Sequence, residues 1–133
     1  MTEHDLMNSI MLAVSDAGHK IFRINVGEGF LSRHYAGDDA RWFKTGVPKG
    51  YSDLSGCNGH TGAAIYIEVK TPKGKPTEAQ CLFLLSMLQC GANAGIAHSV
   101  DEALAICDMT DEMRQNVAEV LHGELEKIRR TGK

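Results

Sequence analysis

Residues 63–98 leave this chain few choices. Ala63 to Lys70 alternates, with Ile65, Ile67 and Val69 on one side and Ala64, Tyr66, Glu68 and Lys70 on the other, the period-two pattern of a strand. Thr71-Pro72-Lys73-Gly74-Lys75-Pro76 ends it. Thr77 with Gln80 three residues on forms a capping box, which predicts a helix from Thr77 to Gly91. That helix is apolar on most sides, through Leu82, Phe83, Leu84, Leu85, Met87 and Leu88, and is expected to be well buried. Ala94 to His98 is short and apolar and suits a buried strand. A strand, a helix and a strand in that order predict a right-handed parallel crossover.

The rest of the chain fits around this unit. Leu6, Ile10, Val14 and Ala17 recur at spacings of four and three, with Thr2 as a cap, Asp5 near its third position and Gly18 as a stop. Residues 20–26 read as a strand through Phe22, Ile24 and Val26, and Gly27-Glu28-Gly29 as a turn. A second strand is expected at 41–45 after a loop. A third runs from Ser52 to Cys57 and ends in Asn58-Gly59, a hairpin-turn dipeptide. Ser99 with Glu102 opens a short helix to about Asp108. Thr110 opens the last one, with the stripe Met113, Val117, Val120, Leu121, Leu125 and Ile128. Helix, β-meander, helix, strand and helices make an α/β fold, a mixed sheet flanked by helices in one domain spanning 1–133.

Composition narrows the partners. The 133 residues are 43% hydrophobic, enough for one core, and no run approaches the roughly 20 apolar residues that cross a bilayer. The N-terminus has acids and no basic n-region, so no secretory signal is expected and the chain reads as intracellular. Cys57, Cys81, Cys90 and Cys107 form no CxxC pair and read as thiols; Cys57 and His60 make one C-x-x-H with no second pair of matching spacing. The net charge of −3 is uneven: residues 20–80 carry nine bases and six acids, so an anionic partner would be met there.

That stretch also holds the residues suited to chemistry. Glu68 and Lys70 point the same way, about 7 Å apart along their strand, and strands joined by a tight hairpin lie about 5 Å apart. Asp53 can therefore stand beside Glu68. Two carboxylates at close range repel unless a cation sits between them or one takes a proton. Mg²⁺ is often held by only one or two carboxylates plus waters and phosphate, and the Val69 carbonyl offers another hard oxygen. Taken singly, E-x-K on a strand is a common solvated ion pair, Asp53 a turn residue and Gln80 a helix cap. Their combination at hairpin spacing, before a turn carrying Lys73 and Lys75, points to a site. Arg23, Arg33, Arg41, Lys44 and Lys49 are candidates to line a nucleic-acid groove, with a solvated face equally good for any one of them.

Gly50-Tyr51-Ser52-Asp53, then Ile65-Tyr66-Ile67-Glu68-Val69-Lys70-Thr71-Pro72-Lys73-Gly74, then Thr77-Glu78-Ala79-Gln80 resemble the virus-type replication-repair nuclease (VRR-NUC) domain of the PD-(D/E)xK nuclease superfamily, best over residues 46–98. The resemblance implies a restriction-endonuclease-like fold and a Mg²⁺- or Mn²⁺-dependent endonuclease acting on DNA. Asp53, Glu68 and the Val69 carbonyl would be metal ligands, Lys70 the catalytic lysine, and Gln80 the residue that orients the site. Glu3 would be the first-helix acid, with Asp5 its competitor. Lys49, Lys73 and Lys75 would meet DNA. Ser52 stands where many members have Pro, which is not a ligand. Stand-alone members resemble phage-type enzymes and Holliday-junction resolvases, implying a homodimer on branched DNA, with the Met-rich first helix or Trp42-Phe43 as candidate interface. The rival is a catalytically silent DNA-binding module of the same fold.

Overall fold

A computed structural model describes residues 1–24, 28–31, 41–44 and 46–132. The chain runs α1 (Glu3–Asp16), β1 (Lys20–Arg23), β2 (Glu28–Leu31), β3 (Arg41–Lys44), β4 (Leu54–Cys57), β5 (Ala64–Val69), α2 (Glu78–Gln89), β6 (Asn93–Ala97), α3 (Val100–Cys107) and α4 (Asp111–Arg130). Four strands form one mixed sheet in the order β1-β4-β5-β6. β1 and β5 flank β4 antiparallel, and β6 joins β5 in parallel, as the strand–helix–strand unit requires. The fold is therefore α/β and restriction-endonuclease-like, with helices on the sheet.

The helices start where their caps are. Thr2 and Asp5 complete a capping box on α1, and Thr77 and Gln80 complete one on α2. Gly18 follows α1 with φ +95°, a backbone state that glycine adopts without strain. Ile65, Ile67 and Val69 are fully buried on one face of β5, while Tyr66 on the other packs edge-on against Phe83 of α2. Leu6, Met7, Ile10 and Val14 of α1 join the same core. Each large aliphatic side chain so buried contributes about 1.5–3 kcal/mol.

Several expectations are revised. β3 lies where a strand was expected, but it pairs with β2 in a separate two-stranded unit, so β1 meets β4 directly. Glu28 and Gly29, expected in a turn, begin β2. Asn25, Val26 and Arg33 lie outside the described residues, as do the side chains of Arg41, Trp42, Phe43 and Lys44. Asn58-Gly59 does not make a two-residue turn. The Asn58 N–H donates to the Ala63 carbonyl at 2.8 Å, and the Asn58 side-chain oxygen accepts from the His60 and Thr61 N–H groups. Ser99 caps α3 by accepting from the Glu102 N–H at 3.1 Å, but the Glu102 carboxylate accepts from the His98 N–H at 2.7 Å and leaves the Ser99–Glu102 box half made. Leu82 and Val120 are exposed, because α2 and α4 each turn one side to solvent. Among the described residues no helix is long and apolar enough to cross a membrane.

Candidate active site

The site lies where β4 begins and β5 ends. Leu54 pairs with Ile67, so the next residues outward, Asp53 and Glu68, face one another across the antiparallel ladder. The backbone fixes Asp53 twice. Its carbonyl accepts from the Ile24 N–H at 2.9 Å, and its Oδ2 accepts from the Val69 N–H at 2.9 Å. The loop before it is held by Tyr51, which packs on Tyr66 and Phe83 with ring centroids 6.0 and 4.6 Å away. Gly50 has φ +89°, and a Cβ there would collide with the Ala79 carbonyl at the start of α2. Only glycine lets the loop approach that helix so closely. Ser52 is fully buried, with its hydroxyl donating to the Leu54 carbonyl.

Glu68 is 2% exposed, yet it is an acid that adjoins another, Asp53. Its Oε2 accepts from Gln80 Nε2 at 3.0 Å and lies 3.6 Å from Lys70 Nζ. Its Oε1 is buried and has no hydrogen-bond partner among the described residues. Burial, and next the adjoining Asp53 carboxyl, push Glu68 up to about 8, while Lys70 pulls the other way. A buried polar atom without a partner is costly, and so is a pair of facing acids. A divalent cation shared by Asp53 and Glu68 would remove both costs at once, since it ligates hard oxygens and cancels their repulsion. The donor set therefore fits a hard metal ion.

The VRR-NUC domain family matches residues 20–101, well over half of the chain and all of Asp53, Glu68, Lys70 and Gln80. The chain belongs to the VRR-NUC family. No curated protein and no solved structure is significantly similar to it. VRR-NUC is a nuclease family, so the chain has a nuclease domain with DNA as its implied substrate.

Geometry sorts the remaining candidates of this VRR-NUC chain. Among the described residues no three His, Cys, Asp or Glu side chains gather, so Glu3 is not drawn into the Asp53–Glu68 pair. Glu3 is exposed on the first turn of α1, one turn before Met7, which reaches a notch bordered by Asp53 and Gln80. Asp5 accepts from the Thr2 N–H and is committed to its own helix cap. Lys49 is exposed just before Gly50, and Lys73 and Lys75 are exposed in the loop after β5. His60 of the C-x-x-H pair contacts the Ala17 carbonyl and stacks edge-on with His19, at the other end of the sheet. Arg23, one of the groove candidates in the sequence, also borders the notch.

Proposed function

We propose that this VRR-NUC chain is a divalent-metal-dependent endodeoxyribonuclease that hydrolyses phosphodiester bonds in branched DNA such as four-way junctions. One observation carries it: among the described residues Glu68, buried and facing Asp53, has no partner for its Oε1, while its Oε2 lies 3.6 Å from the Lys70 ammonium. Asp53, Glu68 and the Val69 carbonyl would hold Mg²⁺ or Mn²⁺, leaving places for water and a phosphate oxygen. When bound, the ion supplies charge neutralisation and a more acidic water.

The chain's own groups do the rest. Lys70 orients the attacking water or donates to the oxygen on which charge develops. Gln80 holds the Glu68 carboxylate in one orientation through Nε2. Glu3, exposed on the first turn of α1, would be a further acid for the site. Lys49, Lys73 and Lys75 neutralise backbone phosphates. A two-fold homodimer would set two such sites on one junction and permit paired nicks. The proposed setting is the cytoplasm of a host cell, where a phage-encoded enzyme would meet branched DNA.

The test is cleavage of an end-labelled four-way junction and a linear duplex of matched sequence, with Mg²⁺, with Mn²⁺ and with EDTA. Metal-dependent cutting of the junction in preference to the duplex, lost in Asp53→Asn, supports the proposal. Equal cutting of both removes the branched-DNA element. DNA binding without cutting by the wild type makes the chain a silent binding module.

A further inference from the structure

A notch of about 290 Å³ opens beside Asp53, and it is lined from β1, which lies on the opposite side of β4 from β5 and Lys70. Met7 of α1, Arg23 and Ile24 at the end of β1, Gly50 and Tyr51 of the loop, Asp53 and Gln80 form its walls. Arg23 is the one cationic side chain among them. Its position is fixed by the ladder. Arg23 pairs with Leu54, and the Ile24 N–H bond to the Asp53 carbonyl ties the end of β1 to the acid itself.

A DNA strand crossing the site must leave it on both sides. In the strand order, Lys70 just after β5 lies on one side of Asp53, and the end of β1 that borders the notch lies on the other. Nucleotides follow one another at about 3.4 Å of rise per strand, so a recess contiguous with a metal-holding acid lies within a nucleotide or two of the scissile bond. An anionic group entering there passes Asp53 and needs a counter-charge, which Arg23 supplies as a planar donor able to grip two phosphate oxygens.

We propose that this notch seats a phosphate neighbouring the scissile one on the cleaved strand, with Arg23 as its clamp. The inference rests on the nuclease function proposed above and adds a path for the strand. Arg23 positions DNA and takes no part in bond breaking.

The experiment uses the full chain and a DNA substrate that the wild type cuts, made with a single uncharged methylphosphonate one or two positions to either side of the mapped cut. In the wild type, one of these substitutions raises KM about ten-fold, the worth of a charge-assisted contact, with kcat little changed. In Arg23→Ala, KM is already raised and the same methylphosphonate costs nothing more. Arg23→Lys recovers part of the loss, and the salt slope of binding in Arg23→Ala falls by about one. If every methylphosphonate weakens Arg23→Ala as much as the wild type, the clamp is refuted while the nuclease stands. If the wild type cuts no DNA at all, the inference and the nuclease fall together.

Discussion

The two ends of the paired strands β4, β5 and β6 both bury polar side chains, and they treat them in opposite ways. At the far end from the site, Asn58 and Asn93 are 2% and 3% exposed, and their hydrogen-bonding groups are used. Both amides donate to the Cys107 carbonyl at the end of α3, at 2.9 and 2.8 Å. Asn58 also donates to Asp108, and Arg114 donates to the Asn93 oxygen at 2.7 Å. At the site end, Glu68 is equally buried, but among the described residues one of its oxygens has no partner, and another acid, Asp53, adjoins it. One sheet thus carries a closed polar network at one end and an open one at the other. A closed network fastens the fold; an open one is left for something that the folded chain does not itself contain.

The strongest way to break this contrast is to remove the amine from the open end. Lys70→Ala should fold normally and still bind metal, yet cleave about 10²–10⁴-fold more slowly, the usual worth of a positioned proton-transfer group or oxyanion donor. Near-normal turnover would take Lys70 out of the chemistry. The opposite substitution tests the closed end. Asn58→Ala leaves buried groups unpaired and should cost about 1–3 kcal/mol in urea unfolding. Its folded fraction should cut DNA at the wild-type rate, and a loss of activity larger than the loss of folded protein would contradict the separation of the two ends.

Proton linkage sharpens the comparison further. Glu68 sits at about 8 when folded against an ordinary 4.5, so between these values the folded, metal-free protein keeps a proton that the unfolded chain has released. Its contribution to stability is therefore fully present below about 4.5 and is lost as pH rises towards 8, at a slope of up to about 1.4 kcal/mol per pH unit. Metal must displace that proton, so affinity should climb with pH and level off near 8. Thermal melts in EDTA and in Mn²⁺ across this range measure both trends. Glu68→Gln should flatten them and abolish the shift in Tm that metal causes. The smallest effect belongs to Cys107, buried in the closed network and pushed up to about 11 by burial. In native protein, iodoacetamide should modify exposed Cys90 and spare Cys107, and Asn58→Ala should speed the slow reaction of Cys107, as read by mass spectrometry.

How much of this was legible in the sequence follows from the range of each interaction. The capping boxes at Thr2 and Thr77 lie within four residues, so the helix starts could be read directly. The facing of Asp53 and Glu68 follows from the strand period and one antiparallel turn. The pairing of β1 with β4 was not legible, because the residues between them form a pair of their own. The closed network was missed for a related reason. Asn58-Gly59 carries a strong local turn signal, which hid that the Asn58 side chain is committed to α3, some fifty residues away. Arg23 gave no signal beyond its charge, since only the register of β1 brings it to the notch.

Gln80 serves two masters. Its Oε1 accepts from the Thr77 N–H, while its Nε2 holds Glu68. The opening turn of α2 and the carboxylate are thus clasped by a single amide, so fraying of that turn would release Glu68 as well. Heating should dull the blade before it melts the handle: cleavage would begin to fail at temperatures where the rest of the sheet still holds.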